Sequence, residues 1–326
     1  RRPSPSSDPQ CGATWMHEEL VRQFHAGDRA ALARVISVLE NQSDGHRELL
    51  QHLYPSAGGA SVIGVTGAPG VGKSTLVAAL ADLLRADATV AVLAVDQSSP
   101  TTGGAILGDR IRMPSANTDE RIYVRSMSAR GRQGGLAIAT GVALTALDAF
   151  GFDRIIIETV GAGQSEVDIV DSADTTLVVT QPTSGDDIQL LKAGIIEIAD
   201  IFVLNKADLP AADIAMLDLE ALIAEQKHAG GWEPKVCETV ATTTSGVDAL
   251  TAAIATHQAW LREAGSDGHR SRTVATVSWI IAATLDQTKS TCVEQLTRDS
   301  DLIEAIHTGE QDPYATAFEV LGADSV

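Results

Sequence analysis

The sequence lacks any apolar run that could cross a membrane. No stretch of its 326 residues approaches the roughly 18 uninterrupted apolar residues that a spanning helix needs. Basic residues are also scarce, with 24 Lys and Arg against 43 Asp and Glu and a formal net charge of −19. Because nucleic acids and anionic membranes are bound by basic faces, this charge balance argues against both as partners.

Cysteine is rare and scattered. The three cysteines, Cys11, Cys237 and Cys292, form no CxxC pair and no framework spacing. We therefore expect a reducing, cytoplasmic compartment with no disulfide scaffold. The first ten residues, RRPSPSSDPQ, have no apolar signal core, and we expect a disordered tail there.

The remaining composition, 44% hydrophobic and 21% charged, is typical of a globular protein. Helical periodicity before residue 57 comes in short pieces, with Asp28 and Ser43 as candidate N-caps. Helical periodicity also fills the chain after residue 246. We interpret that part as an arm or dimer contact, with a helical cap on the same core as the alternative. The predicted regions are a tail (1–16), an N-terminal helical region (17–56), a central domain (57–245) and a C-terminal helical and dimerisation region (246–326).

Strands and helices alternate in the central domain. Short Val- and Ile-rich runs predict strands at 61–66, 89–95, 121–126, 154–158, 175–180, 200–204 and 235–240. Helices are predicted between them at 73–86, 133–150, 187–198 and 213–227. Continuous apolar strands separated by helices indicate an α/β fold with a mostly parallel sheet flanked by helices. Ligands bind at the carboxyl ends of the strands in such sheets, so the loops after the strands are of most interest.

The loop after the first predicted strand reads GAPGVGKST and fills the pattern G-x-x-x-x-G-K-[ST]. Its glycines allow backbone N–H groups to surround phosphates, and the helix that follows adds positive partial charge. Lys73 is expected to pair with the β- and γ-phosphates, and Ser74 Oγ to ligate Mg²⁺. The predicted nucleotide-binding residues here are Gly67, Ala68, Pro69, Gly70, Val71, Gly72, Lys73, Ser74 and Thr75.

Two acidic residues follow the second predicted strand. Asp96 ends that strand beside the phosphate loop, where a carboxylate suits a Mg²⁺ shell. Asp109 lies with Arg110 and Arg112 in the glycine-containing segment 102–113. This segment would bring charge to a γ-phosphate, or it is a solvated loop with its own salt bridges.

The strand at 154–158 runs into Glu158-Thr159-Val160-Gly161, which is similar to the D-x-x-G signal of P-loop GTPases. Glu158 would reach Mg²⁺ through water, and the Gly161 N–H would sense the γ-phosphate. Ala162 stands where Ras-like proteins carry a water-orienting Gln, and Gln164 lies two residues further on. We therefore predict slow intrinsic hydrolysis.

The strand at 200–204 runs into Asn205-Lys206-Ala207-Asp208, an N-K-x-D motif that reads guanine. Asp208 would accept hydrogen bonds from guanine N1–H and the 2-amino group, which adenine cannot match. Asn205 would hold the base through O6/N7 and neighbouring loop contacts, and the Lys206 stem would stack on it. After the last strand, a backbone N–H would meet guanine O6; the residues predicted there are Val240, Ala241 and Thr242.

Five segments together resemble the MeaB/MMAA group, also called ArgK or LAO/AO transport proteins: GAPGVGKST, VLAVDQSSPTTGGAILGDRIRM, RSMSARGRQGGLA, ETVGAGQSE and GIIEIADIFVLNKAD. The resemblance implies a homodimeric P-loop GTPase of the SIMIBI class. It also implies a chaperone of adenosylcobalamin-dependent acyl-CoA mutases, such as methylmalonyl-CoA mutase. Such a chaperone gates cofactor delivery by a cobalamin adenosyltransferase and protects or reactivates the mutase.

The resemblance also assigns roles to residues. It implies that Asp96, Asp109 and Glu158 surround a Mg²⁺ ion with Ser74. It further implies that the segment from Gly185-Asp186-Asp187 through Gln189 to Lys192 is an additional switch, with Lys192 nearest the nucleotide. The candidate catalytic residues are Lys73, Asp109, Glu158, Gln164 and Lys192. The sequence departs from the family pattern at Gln97, at Ala162 and at the segment 182–185.

Two other functions fit a P-loop protein of this class. A metal-insertion GTPase, similar to urease and hydrogenase maturation proteins, would carry a Cys/His cluster, which the scattered cysteines and eight histidines do not provide. An ATP-dependent kinase linked to amino-acid transport would bind adenine, which Asn205 and Asp208 disfavour.

Overall fold

A computed structural model describes residues 18–96, 119–128, 135–159, 172–182, 196–224 and 231–321. One sheet contains seven strands, and every neighbouring pair is parallel, in the order β3-β2-β4-β1-β5-β6-β7. The strands are β1 (Ser61–Gly67), β2 (Val90–Asp96), β3 (Ile122–Ser128), β4 (Arg154–Thr159), β5 (Thr175–Thr180), β6 (Ile201–Asn205) and β7 (Lys235–Thr239). The α/β fold and all seven predicted strands are confirmed.

The described helices are α1 (18–25), α2 (Arg29–Glu40), α3 (His46–Leu53), α4 (Lys73–Leu84), α5 (Gly135–Phe150), α6 (Ala212–Ala224), α7 (Val247–Glu263), α8 (Gly268–Arg298), α9 (Ser300–Thr308) and α10 (Pro313–Leu321). Short 3₁₀ turns occur at Tyr54–Ser56 and Ile196–Ile198. The helices predicted at 73–86, 133–150 and 213–227 are confirmed. Most of the one predicted at 187–198 lies outside the described residues.

Helices cover both faces of the sheet, as the continuous apolar strands require. On β1, Val62 belongs to the apolar cluster formed with α2, α3 and α5. Its neighbour Ile63 points to the opposite face and belongs to the cluster formed with α4 and α7. A third cluster packs α6 against β6. Alternate residues of β1 therefore fill two cores, which explains why the central strands lack a polar face. The edge strand β7 differs, since Lys235 and Glu238 are exposed.

The N-terminal residues of the helices can be compared with the predicted N-caps. Asp28 caps α2, and its carboxylate accepts hydrogen bonds from the backbone N–H groups two and three residues further on. Ser43 does not cap α3, so that prediction was wrong. The chain first passes through Gly45 in the left-handed conformation, and α3 begins only after it. Pro313 is the first residue of α10, a position where the missing N–H of proline costs no helix hydrogen bond.

The C-terminal helices divide between two compact units, with the division between Thr276 and Val277. The sequence pattern alone groups all residues after 246 into one helical region. Within the first unit, however, α7 buries Leu250 and Ile254 in the core that it shares with α4. The sheet domain therefore includes the first of these helices. The boundary at residue 246 and the dimerisation role stay predictions.

The second unit contains the part of α8 from Val277 onwards, together with the whole of α9 and α10. On α8, Val277, Ile281 and Leu285 recur every four residues, and all three are exposed. Such spacing places them on one side of the helix. This unit therefore presents a continuous apolar stripe to solvent. No helix in the described part of the chain is both long and apolar enough to cross a membrane.

A buried ion cluster holds the amino-terminal edge of the sheet. The Asp148 carboxylate accepts hydrogen bonds from the three backbone N–H groups of residues 58–60. Arg272 of α8 donates to Asp174 at 2.5 Å, and its other terminal nitrogen lies 3.9 Å from Asp148. The Asp174 carboxylate also accepts the N–H of Val62 at 2.8 Å. The segment entering β1 is thus fixed by two carboxylates that share one guanidinium.

Asp200 and His257 form a second polar cluster at this edge, beside a cavity of about 1030 Å³. His257 Nε2 lies 3.4 Å from Asp200 Oδ1, and His257 Nδ1 lies 3.0 Å from Thr175 Oγ1. Asp200 accepts the N–H of Thr176 through Oδ2, and the indole N–H of Trp232 through its backbone carbonyl. Burial raises the pKa of Asp200 to about 6 and lowers the pKa of His257 to about 4. Burial therefore disfavours the charged form of each group.

The raised pKa of Asp200 makes its charge a cost to the folded state. That cost grows as the pH rises from the ordinary aspartate value to about 6, and it is fully present above pH 6. We expect Asp200→Asn to increase the free energy of unfolding by about 1–3 kcal/mol at pH 8, because its amide oxygen still accepts the Thr176 N–H. The gain should shrink as the pH falls towards 4. Urea unfolding curves between pH 4.5 and pH 8 measure this, and a gain that does not change with pH would contradict it.

Candidate nucleotide-binding site

The phosphate loop lies between β1 and α4, in the strand–loop–helix arrangement predicted for it. Gly72 precedes α4 in the left-handed conformation, and Lys73 begins the helix. The Lys73 side chain is buried, and its ammonium donates to the carbonyls of Gly67 at 2.7 Å and Ala68 at 3.0 Å. A buried cation therefore lies within the curve of the loop, at the positive end of a helix. This arrangement suits the phosphates of a nucleotide.

Two glycines of this loop cannot be replaced without a clash. Gly67 has a φ of 141°, and an added Cβ would lie 2.1 Å from the carbonyl oxygen of Val179 in β5. Gly72 has a φ of 97°, and an added Cβ would lie 2.4 Å from Nδ2 of Asn205. The loop is therefore pressed against the ends of β5 and β6. Its glycines serve close packing as well as backbone shape.

Ser74 and Glu158 meet beside the loop. The hydroxyl of Ser74, in the first turn of α4, donates to Oε1 of Glu158 at 2.5 Å. Glu158 is buried near the end of β4, which pairs directly with β1. Hydroxyl and carboxylate oxygens are ligands that Mg²⁺ prefers, so this pair fits a magnesium ion beside the phosphates. Asp96 ends the neighbouring strand β2, but its side chain and all of Asp109 lie outside the described residues.

Asn205 connects three loops through its buried side-chain amide. Its Nδ2 donates to the carbonyl of Val71 in the phosphate loop at 2.8 Å. Its Oδ1 accepts from Thr239 Oγ1 and from the backbone N–H of Ala241, both at 3.1 Å. The direct base contact that we expected of Asn205 stays a prediction. Its three hydrogen bonds join the phosphate loop to the end of β7 and the turn after it, so it supports the site.

Lys206 extends over the phosphate loop. Its backbone is left-handed, with a φ of 59°. Its ammonium donates to the carbonyl of Gly70 at 2.8 Å and to Oε1 of Gln181 at 2.6 Å. Asp208, two residues on, is exposed, and its carboxylate has no hydrogen-bond partner among the described residues. The N-K-x-D motif thus combines a fixed lysine with a carboxylate facing solvent.

The loop after β7 forms a tight turn closed by a hydrogen bond from the N–H of Val240 to the carbonyl of Ser245. The N–H of Ala241 is used by Asn205. The N–H of the exposed Thr242 has no partner in the part of the chain that the structure describes. Of the three residues predicted to meet guanine O6, Thr242 therefore has the available donor.

Several predicted site residues cannot be placed. Asp109, Gly161, Gln164 and Lys192 all lie outside the described ranges, as do Gln97 and Ala162. The described site therefore consists of the phosphate loop, Ser74 with Glu158, the N-K-x-D residues and the loop at 240–242.

Sequence reasoning missed two supporting residues. Gln181 follows β5 directly and contacts Lys206, and Thr239 ends β7 and contacts Asn205. Neither belongs to a recognised motif. Their position at strand ends beside the two motifs is the signal that points to them, because polar residues at the carboxyl ends of parallel strands surround the ligand site.

These features define a P-loop nucleotide-binding protein with a guanine-type base motif. Its relatives agree with this class. The sequence model of the family described as "Methylmalonyl Co-A mutase-associated GTPase MeaB" matches residues 32–297. The chain belongs to the MeaB family of GTPases, and it is a guanine-nucleotide-binding enzyme.

Individual relatives cover most of the chain. A Pyrococcus horikoshii protein named as a GTPase is 43% identical over 93% of this chain and 97% of its own length. The GTPase ArgK of Escherichia coli is 36% identical over 72% of this chain and 74% of its own. A mouse protein named methylmalonic aciduria type A homolog, mitochondrial, is 35% identical over 68% of this chain and 58% of its own.

A solved structure also matches. The crystal structure of a LAO/AO transport system kinase superimposes with a TM-score of 0.68 at 25% sequence identity, over 93% of this chain and 96% of that one. This similarity extends over nearly the whole chain, beyond the sheet domain alone.

The contact between Gly72 and Asn205 predicts how the site responds to a methyl group. Gly72→Ala should cost about 2–4 kcal/mol of unfolding free energy and weaken GDP binding, because the added Cβ displaces the Asn205 amide. Gly151→Ala is the matched control, since its φ of 101° is close to that of Gly72 and an added Cβ would have nothing within 4 Å. The control should cost about 1 kcal/mol and leave binding intact. Urea unfolding and fluorescent-GDP titration measure both, and equal effects of the two variants would contradict the contact.

Proposed function

We propose that this protein is a slow GTPase switch that serves an adenosylcobalamin-dependent acyl-CoA mutase. It gates the loading of the cofactor, which a cobalamin adenosyltransferase supplies, and it protects or reactivates the mutase. The observation that carries this proposal is the match of residues 32–297 to a mutase-associated GTPase family. The name of the mouse relative, which refers to methylmalonic aciduria, supports methylmalonyl-CoA mutase or a close relative as the client.

Within the site, we assign the base contacts to Asp208, Lys206 and Thr242. The solvent-facing carboxylate of Asp208 accepts from guanine N1–H and the 2-amino group. The Lys206 stem lies along the base, and the free N–H of Thr242 donates to guanine O6. Asn205 holds these elements against the phosphate loop through its amide. Adenine has an unprotonated N1, no 2-amino group and an amino group in place of O6, so these protein groups would lack partners and adenine nucleotides are rejected.

The phosphates lie along the loop from Gly67 to Thr75, and Lys73 neutralises part of their charge. We assign Mg²⁺ to Ser74 and Glu158, together with Asp96 and Asp109. When bound, the ion stabilises negative charge on the phosphate oxygens. Gln164 and Lys192 are proposed to complete the site when the mutase binds. We expect slow hydrolysis by the chain alone, because Ala162 stands where Ras-like proteins carry the water-orienting glutamine.

We propose a homodimer that uses the apolar stripe of α8. Val277, Ile281 and Leu285 are exposed on one side of this helix, and a second copy of the chain would cover them. The segment from Gly185 to Lys192, which lies outside the described residues, is proposed as the contact that responds to the mutase.

Base recognition can be tested at Asp208. We expect Asp208→Asn to weaken GDP and GTP binding by about 100-fold, because an amide N–H₂ would face the 2-amino group of guanine. Binding of xanthine nucleotides should increase, since xanthine carries an oxygen at that position. Asp208 is exposed and lacks a partner in the described residues, so the unfolding free energy should stay within about 0.5 kcal/mol of the parent value. Unchanged GDP affinity in the variant would refute the assignment.

The client can be tested by GTP turnover. Alone, the protein should hydrolyse GTP far more slowly than the roughly 10 s⁻¹ of stimulated Ras-type proteins. Purified methylmalonyl-, isobutyryl- and hydroxyisobutyryl-CoA mutases are then added separately, and one of them should raise the rate at least tenfold. Lys73→Ala is the control, and its turnover should stay at background with each mutase. No stimulation by any of the three would refute the client.

A further inference from the structure

The order of the strands places Gln181 between the phosphate loop and the N-K-x-D motif. The neighbours β1, β5 and β6 lie side by side in the sheet. The phosphate loop follows β1, Gln181 follows β5 and Lys206 follows β6. Thr180 pairs with Leu204 across β5 and β6, so Gln181 comes level with the start of the N-K-x-D motif. The fold therefore brings this glutamine beside the base-reading loop.

The contacts of Lys206 show what Gln181 does there. Two neutral oxygens, from Gly70 and Gln181, accept hydrogen bonds from the Lys206 ammonium. In the described ranges no carboxylate lies within 4 Å of that ammonium. The Lys206 backbone is itself fixed, since its carbonyl accepts the N–H of Leu209 at 3.0 Å. Both ends of a flexible four-carbon chain are thus held.

We infer that Gln181 is a positioning residue for guanine recognition. It holds the aliphatic part of the Lys206 side chain in the position where the base stacks on it. The lysine therefore loses less conformational freedom when the nucleotide binds. This inference rests on the assignment of Lys206 to the base under the proposed function. A positioning role affects affinity for the nucleotide and does not affect the chemical step.

The glutamine suits this role because its amide oxygen accepts a hydrogen bond from the Lys206 ammonium. A methionine of the same length keeps the shape and apolar contacts of the side chain but offers only a weak sulfur acceptor. A glutamate keeps both the length and the acceptor. Gln181→Met and Gln181→Glu therefore separate the hydrogen bond from the packing of the side chain.

The test is a double-mutant cycle between Gln181 and Lys206, measured by titration of the full chain with a fluorescent GDP analogue. Gln181→Met should weaken GDP binding about fivefold and raise the KM for GTP by a similar factor, with kcat unchanged. Gln181→Glu should bind GDP within about twofold of the parent protein. In a Lys206→Met background, Gln181→Met should have no further effect, because the bond it removes is already absent.

The same titration distinguishes failure of this inference from failure of the base assignment. The positioning role would be overturned if Gln181→Met lowered the affinity for GDP equally in the parent protein and in the Lys206→Met background. A normal affinity for GDP in the single variant Gln181→Met would overturn it as well. If Asp208→Asn weakens GDP binding while Gln181→Met does not, only the role of Gln181 is wrong. If Asp208→Asn also leaves GDP binding unchanged, the base assignment fails and this inference fails with it. Urea unfolding of each variant confirms that the compared proteins are folded.

Discussion

The nucleotide site depends on the buried amide of Asn205. One side chain joins the phosphate loop to the turn after β7, with a donor towards Val71 and an acceptor towards Thr239 and Ala241. Loss of this amide would leave buried polar groups on both sides without partners, and such groups cost about 1–3 kcal/mol each. Phosphate binding and base binding are therefore parts of one rigid assembly.

The parallel sheet makes this assembly possible. Each strand ends at the same edge, so residues far apart in the sequence meet there without long connecting loops. Ser74 reaches Glu158 because β1 and β4 are neighbours, and Asn205 reaches Thr239 because β6 and β7 are. The opposite edge is used for stability: Asp148, Asp174 and Arg272 fix the chain where it enters β1.

Much of this architecture can be predicted from the sequence. Apolar β-branched runs predict the seven strands, and the signal is continuous in those buried on both faces. It is weakest in the edge strand β7, where Lys235 and Glu238 are exposed. The order of the strands cannot be predicted in the same way, since periodicity carries no information about which strands are neighbours. The position of α7 illustrates a related limit, because an apolar stripe does not indicate which surface it covers. Its Leu250 packs into the sheet core, although its periodicity is equally typical of an arm.

The site residues also divide into those that a sequence pattern predicts and those that it does not. The phosphate loop and the N-K-x-D motif are recognised by spacing, whereas Gln181 is a single polar residue with no pattern around it. The approach of Gly72 to Asn205 has a further consequence for how such sequences vary. A side chain at position 72 would displace the Asn205 amide that joins the loops, so homologous chains are expected to keep glycine and asparagine together at these two positions. The contact between the two motifs therefore restricts both positions at once.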